Sequence, residues 1–261
     1  MRVLITLVSL AAFGCALAVG VAGPGSKMGW WEFGTGFSMM RTVASPKEIF
    51  GLVSLSPIFT LAGLSLLGGL IALIAKPRSL GLFAIIAAAA AAGAGMVPVK
   101  MRELVAANPF IHDITTDFDN PPAIIAGAGL DRVNPPEYVG SELVRGTEQT
   151  VADAQREAFP DIQPMVVNAG LDETREIVRE ILPAMKMEIL DETLMEDGWH
   201  IEAAYTSFWY GFVDDFVVRL TPQGSMTRVD VRSKSRVGGS DLGANAKRVK
   251  AFFEKLDAAT A

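Results

Sequence analysis

Two polar stretches of this 261-residue chain hold side chains whose types and spacing could do chemistry. The first, HDITTDFDNPP, sets His112, Asp113, Asp117 and Asp119 within eight residues. An imidazole and three carboxylates so close together could ligate a cation or pass a proton among themselves. The spacing does not fit an EF-hand, which needs a glycine at the sixth loop position and a glutamate at the twelfth. Aspartate and asparagine ahead of proline also form ordinary turns. The expectation is therefore a polar cluster without a metal or cofactor.

The second stretch, RSKSRVGGSDLGANAKRVKAF, places Arg232, Lys234 and Arg236 before a glycine pair, Asp241 and a helix-like run. A helix N-terminus beside arginines can hold a phosphate or carboxylate. Asp241, however, has the side chain to occupy those first amides itself. Asp214 and Asp215, from the preceding strand, can pair with Arg232 or Arg236. An anion site and an internal ion-pair network are thus both open, and the network is the favoured reading. A third group is aromatic: Tyr205, Phe208, Trp209, Tyr210 and Phe212 are candidates for an apolar ligand face, or else simply for core. His200, beside Trp199, reads as structural. Nothing resembles a nucleophile with its base, a P-loop or a dinucleotide fingerprint. An enzyme would have to build on the His112 and aspartate cluster together with Arg232 or Arg236.

These groups sit on elements that the hydrophobic pattern foretells. From Pro164 the order reads β-α-β-β-β-β-α. Short strands cover 165–168 and 187–191, a long one runs from Trp199 to Tyr210, and two more cover 213–220 and 227–233. A helix over 172–182 carries Thr174, Ile177, Val178, Ile181 and Leu182 on one face and is stopped by Pro183. Asp241 caps a helix reaching Leu256, with an apolar stripe at Leu242, Ala246, Val249, Phe253 and Leu256. Alternation puts Arg228, Asp230, Arg232, Lys234 and Arg236 on one face of the last strand, toward water or a cleft, and Val229 and Val231 in the core. Short turns imply antiparallel pairing. The fold class is α+β, a helix-grip-like antiparallel sheet with a C-terminal helix, with a ferredoxin-like variant as runner-up. Residues 100–163, rich in paired prolines, read as an irregular wrapping segment with a short helix near 148–158, and 164–261 as the α+β core.

The first 99 residues are of another kind. Half of the chain is apolar, and uncharged runs cover residues 3–21, 50–75 and 80–99. Each is long enough for the roughly 20 helical residues that cross a hydrocarbon core. This predicts an all-α three-helix transmembrane region, with Pro57 kinking the second span. The first span could instead be a signal peptide cut near Ala16-Leu17-Ala18. Cys15 lies within it and can form no internal disulfide, being the only cysteine. Small residues from Ala87 to Gly95 suit the third span either to close packing or to a plain anchor role. The loop 22–49, with Trp30, Trp31, Phe33 and Phe37, is expected at the membrane surface.

Charge divides along the same line. Residues 1–99 carry six basic and two acidic side chains, whereas 100–261 carry seventeen and twenty-seven. An acidic domain excludes nucleic acid as a partner, because phosphates need a basic footprint. Lys76 and Arg78, in a very short turn, favour that turn and the N-terminus inside, whereas Lys27, Arg41, Lys47, Lys100 and Arg102 pull the other way. The expectation is a multi-pass protein of the inner (cytoplasmic) membrane with a periplasmic C-terminal domain.

HDITTDFDNPP together with DVRSKSRVGGSDLGANAKRV resembles the family called domain of unknown function 1499, over roughly residues 108–257. The resemblance implies a bacterial-type protein, often carrying an N-terminal membrane anchor, and supports an extracytoplasmic domain. It brings no catalytic residues with it. Three functions stay open: binding of a lipid-like or apolar ligand at the membrane surface, which leads; a structural or assembly factor docking on a membrane complex; and an enzyme using the His112 cluster. The partners expected are membrane lipids, with an apolar small molecule or an envelope protein as further candidates.

Overall fold

Uncharged runs of about twenty residues satisfy their backbone polar groups as helix, and the computed structural model places them so. It describes residues 1–49, 53–75 and 77–260. One unit comprises residues 1–103 with 208–211; the other comprises 104–207 with 212–261. In the first unit lie α1 (Arg2–Lys27), α2 (Phe33–Ala44), β1 (Lys47–Ile49), β2 (Val53–Leu55), α3 (Pro57–Ala75) and most of α4 (Arg78–Ala107). Helices α1, α3 and α4 are long and apolar enough to cross a membrane.

The first and third apolar runs fall inside helices that continue beyond them. The second run is helix only over Pro57–Ala75, since its residues 53–55 form β2; residues 50–52, and Lys76, lie outside the described residues. Pro57 does not kink a span, as its position in the run suggested; it opens α3. At the first helical position its missing N–H has no bond to lose. Ser65 Oγ lies 2.9 Å from Ser9 Oγ and 2.8 Å from the Ala84 carbonyl, joining α1, α3 and α4 through buried hydroxyls. Ala84, Ala87, Ala88 and Ala91 of α4 are buried within the unit, so its small residues serve close packing. Trp31 donates its indole N–H to the Ala22 carbonyl at 3.1 Å. The Tyr210 ring stacks on Phe37 with centroids 4.8 Å apart.

The second unit is α+β. Its elements are β3 (Asp113–Thr115), a 3-10 turn (Ala126–Gly129), α5 (Val151–Ala158), β4 (Met165–Val167), α6 (Leu171–Ala184), β5 (Met187–Met195), β6 (Gly198–Thr206), β7 (Val213–Gln223), β8 (Met226–Ser235) and α7 (Ala244–Thr260). The sheet runs β3-β8-β7-β6-β5 and is antiparallel throughout; β4 also pairs with β8. The C-terminal half of β8 takes β3 and its N-terminal half takes β4. On one face Ile201, Ala203, Phe216, Val218, Leu220, Val229 and Val231 pack with Val178 and Leu182 of α6 and with Val249, Phe252 and Leu256 of α7.

Three local expectations are corrected. Residues 100–163 do more than wrap, because β3 joins the sheet. The strand from Trp199 stops at Thr206 and does not reach Tyr210. There Ser207 N–H donates to the Phe212 carbonyl and Phe212 N–H to Ser207 Oγ, both at 2.8 Å, and Gly211 takes a left-handed φ of 73°. Residues 208–210 are therefore turn, a conformation that glycine makes inexpensive. Pro183 stands inside the last turn of α6 and not after it; Lys186 N–H bonding to the Pro183 carbonyl closes the end.

Candidate functional site

The β7–β8 register sets Asp215 opposite Lys234, Val217 opposite Arg232 and Arg219 opposite Asp230. These residues share the face turned away from α6 and α7, and β6 adds His200 and Glu202 to it. The charges do not point to water or a cleft, as their alternation alone suggested. Arg232 is 2% exposed and Lys234 0%, because the chain between β3 and α5 lies across them. Its carbonyls act as acceptors: Arg232 donates to those of Pro122 and Pro136 at 3.2 and 2.9 Å, and Lys234 Nζ to that of Glu137 at 2.6 Å.

Within this roofed layer the two polar motifs interlock. Asp113 receives Arg232 through both oxygens at 2.9 Å and Lys234 Nζ at 3.0 Å. Burial pushes the Lys234 pKa down, against the pull of the Asp113 charge. Asp117 Oδ2 takes Arg219 and Arg228, each at 3.1 Å, and both arginines also reach Asp230. Asp117 Oδ1 accepts the backbone N–H groups of Asp119 and Asn120, and so forms the turn before the prolines. Asp215 binds Arg236 at 2.7 Å and Arg132 at 3.1 Å. Asp214, on the helix side, binds Arg248 of α7 at 2.8 Å.

Asp241 accepts the N–H groups of Gly243 and Asn245 at 2.8 and 2.9 Å. The amides that an anion would need are thus occupied. Burial raises its pKa to about 6, although those amides pull the other way. The five residues of the candidate anion or ion-pair site therefore belong to three different groups: Asp113–Arg232–Lys234, Asp215–Arg236–Arg132, and the start of α7 with Asp214 and Arg248 nearby.

The His112 cluster does not converge either. His112 Nδ1 is 3.4 Å from the Gly239 carbonyl, while Nε2 is buried with no hydrogen-bond partner. Burial and the Lys234 charge lower its pKa, so the ring is neutral at pH 7. Asp113 and Asp117 face separate arginines, and Asp119 is exposed. Among the described residues no group of three or more His, Cys, Asp and Glu is placed to hold a metal ion.

The aromatic candidates are divided as well. The Tyr205 ring, on β6, lies under the Arg248 guanidinium at 4.2 Å. Phe208 is 86% exposed, Trp209 and Tyr210 are counted with the helical unit, and Phe212 leads into β7. The sheet face toward α7 is instead filled by Phe216 and Phe252, edge to face at 5.3 Å.

Several residues of the site escaped the sequence. Glu202 accepts the N–H groups of Ile125, Ala126 and Gly127 at 2.8, 2.8 and 3.0 Å, with His200 Nε2 at 3.3 Å. Burial alone would raise its pKa, but the hydrogen bonds from His200 and the three amides outweigh that and hold it low. Arg132 Nη1 reaches the Gly127 carbonyl and Asp215, and Asn134 donates to the carbonyls of Ser235 and Gly238. Alternation continued from β8 through β7 into β6 would have exposed Glu202. No local pattern marks Arg132 or Asn134.

A family model described as "Protein of unknown function (DUF1499)" matches residues 113–256. No curated protein matches the chain, and no solved structure does.

Proposed function

This chain belongs to the DUF1499 family, and from that premise we propose that it is a membrane-anchored, non-catalytic module whose soluble domain docks at the membrane through its surface. One observation carries the reading: the charged side chains of both motifs pair with one another beneath a roof of backbone carbonyls. Buried charges that are fully paired and hydrogen-bonded form a scaffold, and a bound substrate would first have to break those pairs. The motifs then hold β3, β8 and the roof together, and contact with partners falls to the exterior. Binding of an apolar molecule inside the sheet has less support, since Phe216, Phe252 and Leu256 already fill the face under α7.

α1, α3 and α4 serve as the anchor in the inner membrane of a bacterial envelope, with the soluble domain on its periplasmic side. Arg78, at the start of α4 beside the short α3–α4 connection, supports that orientation by the positive-inside rule. A C-terminal alkaline phosphatase fusion should be active, and an inactive, stable fusion reverses the orientation. The docking reading is tested by thermal denaturation of the detergent-solubilised full chain with millimolar phosphate or glycerol phosphate. No change in Tm is expected. A rise of several degrees that Arg232→Lys abolishes would make the motifs a ligand site and overturn the proposal.

A further inference from the structure

The segment that roofs the charged layer presents a second surface. Residues 121–130, PPAIIAGAGL, contain no charge. Ile125, Leu130 and Val133 are 54%, 43% and 79% exposed within nine residues of one another. Scattered exposed apolar side chains are ordinary, but a local group of them marks an interaction site. This one is held rigid. Glu202, itself buried, fixes three consecutive amides of the loop. Val133 and Asn134 both donate to the Arg236 carbonyl at 2.9 Å. A Cβ on Gly127 would come within 2.6 Å of Asp215 Oδ1, so the turn there requires glycine. The one cation of the loop, Arg132, is turned inward onto Asp215; Asp131 stands exposed at its edge. A loop without constraint could fold its isoleucine and valine inward. This one is pinned with them facing out, so the ordering cost of a contact is met before the contact forms.

We infer that residues 123–133 form a lipid-contacting loop that seats Ile125, Leu130 and Val133 in the interfacial layer of the bilayer holding α1, α3 and α4. The inference rests on the proposed membrane anchoring and names the surface that docks. The bilayer is the favoured occupant because α4 ends at Ala107, a short stretch of chain before the loop, and so keeps lipid at a high effective concentration around the domain. The chemistry agrees. A domain in which acidic side chains outnumber basic ones gains nothing from anionic headgroups, whereas a loop whose one exposed charge is Asp131 at its edge enters by burial of apolar area, which salt does not screen.

The test uses the full chain in phosphatidylcholine vesicles, with Cys15→Ser and a single new cysteine carrying an environment-sensitive nitrobenzoxadiazole label. Labels at Val133→Cys and Ile125→Cys should show blue-shifted emission and lose intensity when doxyl-labelled lipid is included, equally at low and high salt. A label at the exposed Arg145→Cys should do neither. Water-like emission at 125 and 133, with the chain still retained in the vesicles, overturns the lipid contact and leaves the anchoring intact. A blue shift without doxyl quenching also overturns it, since the label then lies against protein. Release of the chain from vesicles at alkaline pH would instead defeat the anchoring itself.

Discussion

The two faces of the sheet in the α+β unit are both buried, yet they are built on opposite principles. β8 supplies Val229 and Val231 to one and Asp230, Arg232 and Lys234 to the other. Toward α6 and α7, apart from the polar group of Ser233, Ser235, Asn245, Arg248 and Asp214 at the start of α7, apolar side chains exclude water, and what matters is filled volume. Beneath the roof, each buried cation has a particular carboxylate, and what matters is that none is left alone. The apolar face should tolerate exchange of one hydrophobe for another. The charged face should tolerate almost none, though its net contribution to stability is small compared with the cost of breaking it. A face of this second kind fixes which loop lies where, and here it fixes the loop carrying Ile125, Leu130 and Val133.

The sharpest way to break this contrast is to damage each face once. Asp113→Ala leaves Arg232 and Lys234 buried without a counter-charge and should cost about 3–5 kcal/mol. Phe216→Ala should cost a similar ~3–5 kcal/mol through the cavity it opens. Denaturant unfolding of the solubilised chain measures both, and a loss below ~1 kcal/mol for Asp113→Ala would remove the charged face from the scaffold. Conservative exchanges then separate the two faces. Phe216→Leu should cost less than about 1.5 kcal/mol. Arg232→Lys, which gives up the bidentate contact with Asp113, should cost about 1.5–3 kcal/mol. Equal costs would show that the faces do not differ in kind.

A smaller effect separates burial from pairing at Asp241. Its folded pKa of about 6 stands above its ordinary value of 3.8, so the protonated form favours folding. That contribution is complete below pH ~4 and is lost as pH rises through about 6. Asn at this position does not titrate. Wild type should therefore lose about 1 kcal/mol relative to Asp241→Asn between pH 5 and pH 7, and a pH-independent difference would show that the carboxyl is not perturbed. The smallest effect calibrates the rest. Lys100 and Glu103 pair at 2.7 Å with both side chains well exposed, and Lys100→Ala should cost under ~0.5 kcal/mol.

Much of this was legible in the chain because it is periodic. Alternation alone separated Val229 and Val231 from Arg228, Asp230, Arg232 and Lys234, and the 4-3-4-3 spacing marked the buried side of α7 at Ala246, Val249, Phe253 and Leu256. It marked Leu242 too, but that residue stands before α7 with a φ of 57°. The expected strand from Trp199 ran too far because aromatic residues continue through 208–210, while the Ser207 hydroxyl and Gly211 turn the chain there.

What the sequence by itself determined is what near neighbours determine: three apolar runs long enough to cross a membrane, the helices and strands of the α+β unit from Met165 onward apart from their ends, and which side chains of each strand share a face. Only the tertiary structure decided that the charged face is covered, that Asp113 and not Asp214 or Asp215 meets Arg232, and that Glu202 holds a distant loop with its apolar side chains outward. The reason is physical. Periodicity records how a residue faces relative to those beside it, whereas Asp113 and Arg232 stand 119 residues apart. Their meeting depends on the path of a proline-rich segment that has no period to read.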